Sequence, residues 1–160
     1  MKKTPFYEEG LRFSCVRCSA CCRYESGFVF LSRSDLDTLS FELKMKSGDF
    51  IAAYCRWIGT PGGFSQLSLR EKSNYDCVFW KNGCAVYKAR PRQCRSFPFW
   101  PAILESPGVW ETAALSCPGM GKGTLHTKEQ IETCLREQLN EAIITQEFRI
   151  QPRTLTDRTD

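Results

Sequence analysis

Four cysteines fall within eight residues near the start of the chain, and this cluster constrains the fold more than any other feature. The run is Cys15-Val16-Arg17-Cys18-Ser19-Ala20-Cys21-Cys22. A Cys-x-x-Cys turn lets two thiolates converge on one metal, while the amides between them can donate hydrogen bonds to the sulfurs. Buried free thiols, which behave as small core residues, would not be expected to cluster in this way. The run therefore predicts that this part of the chain binds a metal.

The redox environment decides how the ten cysteines of this 160-residue chain are interpreted. The N-terminus begins with two lysines, but Glu8, Glu9, Gly10 and Arg12 interrupt any apolar segment of a secretory signal. The sequence also has no stretch of about 18 apolar residues that could span a membrane. We therefore expect a cytoplasmic protein, in which clustered cysteines are metal ligands rather than disulfides.

More distant cysteines extend the cluster to eight candidate ligands. The spacing Cys-x-x-Cys-x-x-Cys occurs in bacterial-type ferredoxins, where a ligating cysteine is followed by proline. Cys117 precedes Pro118 in the same way, and one ligand set is therefore Cys15, Cys18, Cys21 and Cys117. Because the side chains of adjacent residues usually diverge, Cys22 is grouped with Cys77, Cys84 and Cys94. This division is one of several, and the expected cofactor is an iron–sulfur cluster such as 4Fe-4S, or Zn2+, in one or two sites.

The net charge of +4 and the pI of about 8.5 have two interpretations. A basic balance can indicate nucleic-acid binding, but the basic residues are scattered along the chain rather than clustered. A divalent metal with four thiolates carries about two negative charges, so two such sites would offset the excess. We therefore expect neither a nucleic acid nor a membrane as partner, while a protein partner or substrate remains open.

Local patterns predict an α+β fold in one small domain, 1–160, with several helices, a β-hairpin in a short sheet and a cysteine-lined metal centre. Ser34 is the predicted N-cap of a first helix, and a second helix begins near Ser47 and reaches Ile58. A capping box at Thr127 predicts a C-terminal helix over about residues 127–148. The polar tail over residues 151–160 is expected to be frayed.

The predicted strands are short: Phe28–Leu31, residues 66–70, the hairpin arms 77–80 and 84–87, and Val109–Leu115. Asn82-Gly83 between two apolar runs is a strong hairpin signal. Pro91 is expected to open a short helical turn that carries Cys94. The segment Gly119–Thr124 resembles a phosphate-binding loop but fails its spacing, and a flexible loop is predicted instead.

The combined pattern resembles a known family. The run Cys15-x-x-Cys18-x-x-Cys21-Cys22, the later Cys77 and Cys84, and Arg90-Pro91-x-x-Cys94-Arg95-x-Phe97-Pro98-Phe99 are similar to the CxxCxxCC family. Its members are also called YkgJ-like cysteine-cluster proteins and are described as zinc- or iron-chelating. The resemblance implies a metal-binding core over about residues 13–118 and no particular reaction. A flagellin lysine N-methylase carries a similar domain, which keeps protein methylation open.

The other reactive residues have simpler interpretations. Cys55 and Cys134 lie among apolar residues and are expected to pack in the core. His126, the only histidine, could replace one cysteine as a ligand, but a solvated loop histidine is the favoured interpretation. The arginines around Cys94 could bind a phosphate or carboxylate; offsetting thiolate charge is the favoured role. They are Arg90, Arg92 and Arg95.

Three functions remain open, and the sequence does not decide whether the protein is an enzyme. The first is a non-catalytic module whose closed zinc site is structural. The second is an iron–sulfur protein that transfers electrons or modifies a protein substrate. The third is a zinc-stabilised interaction module that presents Phe97–Pro101, although the favoured interpretation of that segment is an apolar shell that keeps water from a cluster. Thiolates suit both metals, and the cysteine spacing slightly favours iron–sulfur.

Overall fold

The computed structural model describes residues 4–147, in which helices alternate with short strands. In chain order the elements are β1 (Leu11–Phe13), α1 (Arg33–Glu42), α2 (Ser47–Tyr54), β2 (Cys55–Thr60), β3 (Phe64–Leu69), α3 (Arg92–Ser96), α4 (Pro107–Ser116), β4 (Met120–His126), α5 (Lys128–Asn140) and β5 (Thr145–Glu147). Two short 3-10 turns, Ala20–Cys22 and Tyr87–Ala89, lie in the segments that carry cysteines. This mixture of helices and antiparallel sheets in one small domain confirms the predicted α+β fold.

The larger sheet has the strand order β2-β3-β5 and is antiparallel throughout. The β2–β3 hairpin turns at Gly62 and Gly63, which both adopt a positive φ that other residues rarely adopt. The strand predicted at residues 66–70 is confirmed as part of β3. The second helix does not reach Ile58 as predicted: it ends at Tyr54, because pairing with β3 draws the following residues into β2.

The predicted strand Phe28–Leu31 is an extended segment beside β3 rather than a strand. The N–H of Leu31 donates to the carbonyl oxygen of Leu67 at 3.0 Å. An isolated bridge joins Phe30 to Ser68. The segment therefore lengthens the sheet edge without forming a continuous ladder.

Helix α1 begins two residues earlier than predicted. Ser32, rather than Ser34, is the N-cap, and it forms a capping box with Asp35. Both serines have an aspartate three residues later, Asp35 and Asp37, so the local sequence does not distinguish them. The Asp35 carboxylate also accepts a hydrogen bond from the N–H of Arg92 at 2.8 Å. This long-range contact selects the earlier cap.

Residues 109–115, predicted as a strand, lie in helix α4. The Ser106 hydroxyl caps this helix by accepting from the N–H of Val109 at 3.3 Å. Pro107 occupies the first turn, where its missing N–H needs no partner. The Ser-Pro start signal outweighs the strand preference of Val109 and Trp110.

Residues Gly119–Thr124, predicted as a flexible loop, lie mostly in strand β4. This strand pairs antiparallel with β1, and Leu11 lies opposite His126 while Phe13 lies opposite Met120. Because the partner strand comes near the start of the chain, no local pattern indicated the pairing.

The Asn82-Gly83 turn reverses the chain as predicted, but its arms are turns rather than strands. Both residues adopt a positive φ. The arms are joined by one isolated bridge between Trp80 and Cys84. The hairpin prediction is therefore correct for the reversal and wrong for the pairing.

The C-terminal helix begins at its predicted cap and ends earlier than predicted. Helix α5 follows the Thr127 capping box and stops at Asn140, not near residue 148. The predicted frayed tail, residues 151–160, lies outside the described residues. None of the helices in residues 4–147 is long and apolar enough to cross a membrane.

Two apolar clusters form the interior. The first lies between α1, α2 and the larger sheet, and its buried members are Leu31, Leu36, Leu39, Phe50, Cys55, Leu67, Leu69, Phe79, Val86 and Ala89. The second lies between α4, α5 and the smaller sheet, and its buried members are Phe99, Leu104, Trp110, Met120 and Ile131. The candidate ligands Cys77 and Cys84 pack against the first cluster, whereas Cys117 packs against the second.

Candidate metal centre

The cysteine run lies against the loop that carries Cys77 and Cys84. The N–H of Cys77 donates to the carbonyl oxygen of Cys22 at 2.7 Å. In addition, the charges of Cys77 and Cys94 act on the Cys22 thiol and raise its pKa, after the larger effects of a hydrogen bond with Cys21 and of burial. Ligands predicted from distant parts of the sequence are thus brought together by the fold of the protein itself.

Arg23, directly after the run, anchors it to the same loop. Its Nε donates to the Asp76 carboxylate at 3.0 Å, and its guanidinium lies 3.7 Å from the centre of the Trp80 ring. Burial raises the pKa of Asp76, but hydrogen bonds from Arg23 and Asn74 outweigh it, so that the pKa lies below its usual value. The ion pair therefore persists at neutral pH and keeps the end of the run beside Cys77.

A second anchor holds the beginning of the run. The guanidinium carbon of Arg17 lies 4.1 Å from the centre of the Tyr87 ring, and that of Arg90 lies 3.7 Å from it. Arg90 also donates from Nε to the Tyr87 carbonyl oxygen at 2.9 Å. Each cation–π contact is worth about 0.5–1 kcal/mol at exposed sites. Tyr87 therefore links the Cys15–Cys18 turn to the segment that leads to Cys94.

Two opposing effects act on the thiols of Cys77 and Cys84 in the loop between the anchors. Burial raises the pKa of both thiols, and hydrogen bonding by the backbone of Phe79 and of Val86, two residues later in each case, partly opposes this rise. Hydrogen bonds to sulfur stabilise the thiolate, which is the form that binds metal.

Cys117 follows helix α4 as its C-cap and has the same type of support. Burial raises the pKa of its thiol, and the backbone of Gly119 and of Met120 opposes this rise. The charges of Cys18 and Cys21 raise the pKa further. Cys117 is therefore within electrostatic reach of the run. The charge of Cys21 acts on Cys77, Cys84 and Cys94 as well, so the division into two ligand sets stays a prediction.

The predicted short helix at Pro91 is present as α3, and it carries Cys94. Burial is the main cause of the raised pKa of the Cys94 thiol, and the charges of Cys77, Cys21 and Cys84 add to it. Arg90 acts in the opposite direction. Repulsion among several thiolates is the kind of interaction that a bound metal cation would relieve.

Cys21 and Cys22 are neighbours in sequence, and their Sγ atoms lie 3.8 Å apart. The hydrogen bond between them is the main reason that the pKa of Cys21 is lowered to about 7 while that of Cys22 is raised. The two sulfurs do not diverge as the sequence argument assumed. The hydrogen bond between the two sulfurs therefore favours a thiolate in this pair.

The sulfurs approach one another without enclosing a metal position. Within residues 4–147, no three His, Cys, Asp or Glu side chains are arranged so that they could hold one metal ion. Three candidate ligands are exposed (Cys15, Cys18, Cys21) and five are half-buried (Cys22, Cys77, Cys84, Cys94, Cys117). The donor set nevertheless fits a thiolate-preferring metal, because it consists of thiols and the positive charge of Arg90 acts on three of them, Cys21, Cys84 and Cys94.

A cavity of about 590 Å³ opens beside four candidate ligands, Cys21, Cys22, Cys77 and Cys94. Phe97 and Trp100 also line it, so that the thiols face a partly apolar space. Pro98 and Phe99 are buried. The segment Phe97–Pro101 therefore packs largely inward and is not presented as a continuous surface.

Cys55, Cys134 and His126 were not proposed as ligands, and none of them lines the cavity. Cys55 is buried, and the other two are half-buried. Cys55 lies at the start of β2, where burial raises the pKa of its thiol to about 11. Cys134 lies on α5 and accepts from Nε2 of Gln138 at 3.6 Å. His126 is not a solvated loop residue as predicted: it lies half-buried in β4, with Nε2 3.1 Å from the Phe13 carbonyl oxygen.

Sequence reasoning missed the residues that hold the run in place. Arg17 and Arg23 stand within the first Cys-x-x-Cys turn and directly after the run, and both contact aromatic rings of the second cysteine segment. Those rings belong to Trp80 and Tyr87. The sequence did contain a signal for these contacts, because arginines occur in and after the run and aromatic residues occur near Cys84. Contacts between arginine and aromatic rings are common in protein structures.

The family model named CxxCxxCC, described as a putative zinc- or iron-chelating domain, matches residues 14–135. The matched region contains all eight candidate ligands. No solved structure matches the chain.

Proposed function

The chain belongs to the CxxCxxCC family of zinc- or iron-chelating domains, and on this premise we propose that it is a metal-binding cysteine-cluster protein. The proposed ligands are Cys15, Cys18, Cys21, Cys22, Cys77, Cys84, Cys94 and Cys117. They hold an iron–sulfur cluster or zinc in one or two sites. Because thiolate ligands require reduced cysteines, the proposal places the protein in a reducing compartment such as the cytoplasm.

One observation carries this proposal: the fold places four of the cysteines, Cys21, Cys22, Cys77 and Cys94, around one cavity. They come from three separate segments of the chain. The Cys77 N–H donates to the Cys22 carbonyl oxygen at 2.7 Å, and the sulfurs of Cys21 and Cys22 lie 3.8 Å apart. Thiols that converge from distant segments are typical of metal ligands. Cys55 is a core thiol for comparison, and it does not line this cavity.

The cysteine pattern in the sequence slightly favours an iron–sulfur cluster over zinc. The run Cys-x-x-Cys-x-x-Cys, together with the remote Cys117 before Pro118, is typical of bacterial-type ferredoxins. Thiolates suit both metals, so the preference depends on this pattern and is decided by the metal content of the protein.

Purification under strict exclusion of oxygen tests both parts of the proposal. We expect a brown protein that contains iron and acid-labile sulfide in equal amounts and absorbs visible light. A colourless protein with bound zinc would retain metal binding and overturn the cluster. A protein that takes up neither metal, even after reconstitution, would overturn the proposal as a whole.

Alanine variants of the cysteines test the ligand assignment. Cys77→Ala and Cys94→Ala should lose bound metal, whereas Cys55→Ala and Cys134→Ala should keep it. The two core variants cost only packing energy, on the order of 1 kcal/mol. Elemental analysis of the four proteins provides the comparison. Metal loss in Cys134→Ala equal to that in Cys94→Ala would show that the division into ligands and core thiols is wrong.

The cavity favours a second candidate function, an iron–sulfur-dependent enzyme that modifies a protein substrate. A volume of about 590 Å³ beside four candidate ligands is in the range of sites that bind small ligands or side chains. Electron paramagnetic resonance of the reduced cluster would test this, since a substrate entering the cavity should change the spectrum. The third function, a zinc-stabilised interaction module, has less support because Pro98 and Phe99 are buried.

A further inference from the structure

Ser14, the residue before Cys15, lies against strand β4. Its N–H donates to the carbonyl oxygen of Gly119 at 3.2 Å, and its hydroxyl oxygen accepts from the N–H of Thr124 at 3.0 Å. The same hydroxyl lies 3.3 Å from Oγ1 of Thr124. The start of the cysteine run is thereby fixed to the segment that follows Cys117.

Two glycines make this close approach possible. A Cβ atom at Gly119 would lie 2.3 Å from the backbone oxygen of Ser14. A Cβ atom at Gly123 would lie 2.2 Å from Oγ and 2.5 Å from Cβ of Ser14. All three distances are below 3.0 Å, a separation at which one of the two atoms must shift. A side chain at either position would therefore push Ser14 away from β4.

Gly119 is also close to the other part of the proposed ligand set, because it follows Cys117 by two residues. Its carbonyl oxygen accepts from the N–H of Ser14 at 3.2 Å. One residue therefore joins Cys117 to the chain that leads directly into Cys15. A displacement at this point would change the separation of the two cysteines.

We infer that Gly119 and Gly123 are positioning residues of the metal centre, which set the separation between Cys15 and Cys117 by letting Ser14 lie against β4. The inference rests on the proposed function, in which Cys15 and Cys117 belong to one ligand set. Neither glycine touches the metal. Their role is to hold two ligands that come from opposite ends of the cysteine pattern.

Alanine substitutions at three glycines of the same segment separate contact from backbone strain. Gly121 and Gly123 have nearly equal positive φ values, 74° and 75°, so alanine is strained to a similar degree at both. A Cβ atom at Gly121 meets nothing within 4 Å, whereas one at Gly123 meets Ser14. Gly119→Ala adds the contact at a position where φ is not positive.

Gly119→Ala and Gly123→Ala should weaken metal binding by about 10–100-fold, the usual effect of changing residues that support ligands. Gly121→Ala should bind metal like the unaltered protein. The affinity is measured without oxygen by competition with a chromophoric chelator. Urea unfolding of the fully metal-loaded proteins reports separately on the stability of the fold.

A second substitution distinguishes positioning from a general loss of structure. Ser14→Gly removes the side chain that Gly123→Ala would meet, so the double variant should bind metal as tightly as Ser14→Gly alone. The same change should not rescue Gly119→Ala, because that contact is with the Ser14 backbone. This comparison also decides the question if Gly119→Ala fails to fold.

The outcomes distinguish this inference from the function on which it rests. Absence of metal from the unaltered protein would overturn the proposed function. If the unaltered protein binds metal and Gly123→Ala binds it as tightly as Gly121→Ala, the positioning role is wrong. Failure of Ser14→Gly to restore affinity to Gly123→Ala would contradict it as well.

Discussion

The Tyr87 ring contacts two guanidinium groups, and these come from different parts of the chain. Arg90 is close in sequence, and its contact is local, whereas Arg17 comes from the first Cys-x-x-Cys turn. The ring attracts a guanidinium through its quadrupole, so the contact does not depend on the phenolic hydroxyl. Tyr87 can therefore hold the exposed turn that carries Cys15 and Cys18 without being a ligand itself.

Replacing the Tyr87 ring should weaken metal binding even though no sulfur is removed. Tyr87→Leu should lower the metal affinity about fivefold, which corresponds to the loss of about 1 kcal/mol of cation–π attraction. Tyr87→Phe is the matched control, because it keeps the ring and removes only the hydroxyl. Competition with a chelator measures both affinities. A loss in Tyr87→Phe as large as that in Tyr87→Leu would assign the effect to the hydroxyl instead.

Among the elements, α5 begins with a complete capping box that the sequence predicted at the right residue. The Thr127 N–H donates to Oε1 of Gln130 at 2.9 Å, and the Gln130 N–H donates to the Thr127 hydroxyl at 3.4 Å. Ile131 on the same helix is fully buried in the second apolar cluster. The cap and the buried face therefore act together, and α5 carries none of the proposed ligands.

Removing this cap should affect stability but not metal content. Thr127→Ala should lower the free energy of unfolding by about 1 kcal/mol, as measured by urea denaturation of the metal-loaded protein. Thr38→Ala is the matched control: Thr38 is exposed on α1, and its hydroxyl bonds only to the Ser34 carbonyl oxygen. That change should be close to neutral. Reduced metal binding in Thr127→Ala would mean that α5 also shapes the metal centre.

Elements with local signals could be predicted from the sequence, whereas elements that depend on distant partners could not. The α5 cap at Thr127 and the α3 start at Pro91 are fixed by nearby residues. Strand β4 forms only because β1 pairs with it from the other end of the chain. The choice of Ser32 over Ser34 as the α1 cap likewise depends on a long-range contact, the Arg92 N–H donating to the Asp35 carboxylate.

The candidate site shows the same division. The cysteine pattern predicted metal binding, because the type and the spacing of the ligand residues are properties of the local sequence. It could not predict that Arg17 contacts Tyr87 or that Arg23 pairs with Asp76. Those contacts join segments that only the folded chain brings together. The pattern also could not predict that Gly119 leaves room for the backbone of Ser14 to approach.

In the whole molecule, the proposed ligands are distributed over both apolar clusters. Cys77 and Cys84 pack against the first cluster, and Cys117 packs against the second. The cysteine run lies within reach of both groups, because the charge of Cys21 acts on Cys77 and on Cys117. A metal bound by these thiolates would therefore cross-link two clusters that each bury only a small number of side chains.

Removal of the metal should therefore destabilise the whole fold rather than one loop. Structural metal sites can contribute on the order of 10 kcal/mol to the folding of small domains, and a domain of this size is expected to have a net stability of about 5–15 kcal/mol. Chelation should broaden or abolish the cooperative thermal transition measured by calorimetry, because the metal would no longer couple the unfolding of the two apolar clusters. Adding the metal back without oxygen is the control and should restore a single sharp transition. An unchanged melting curve in fully demetallated protein would show that packing and the Arg23 and Tyr87 anchors hold the two clusters together unaided.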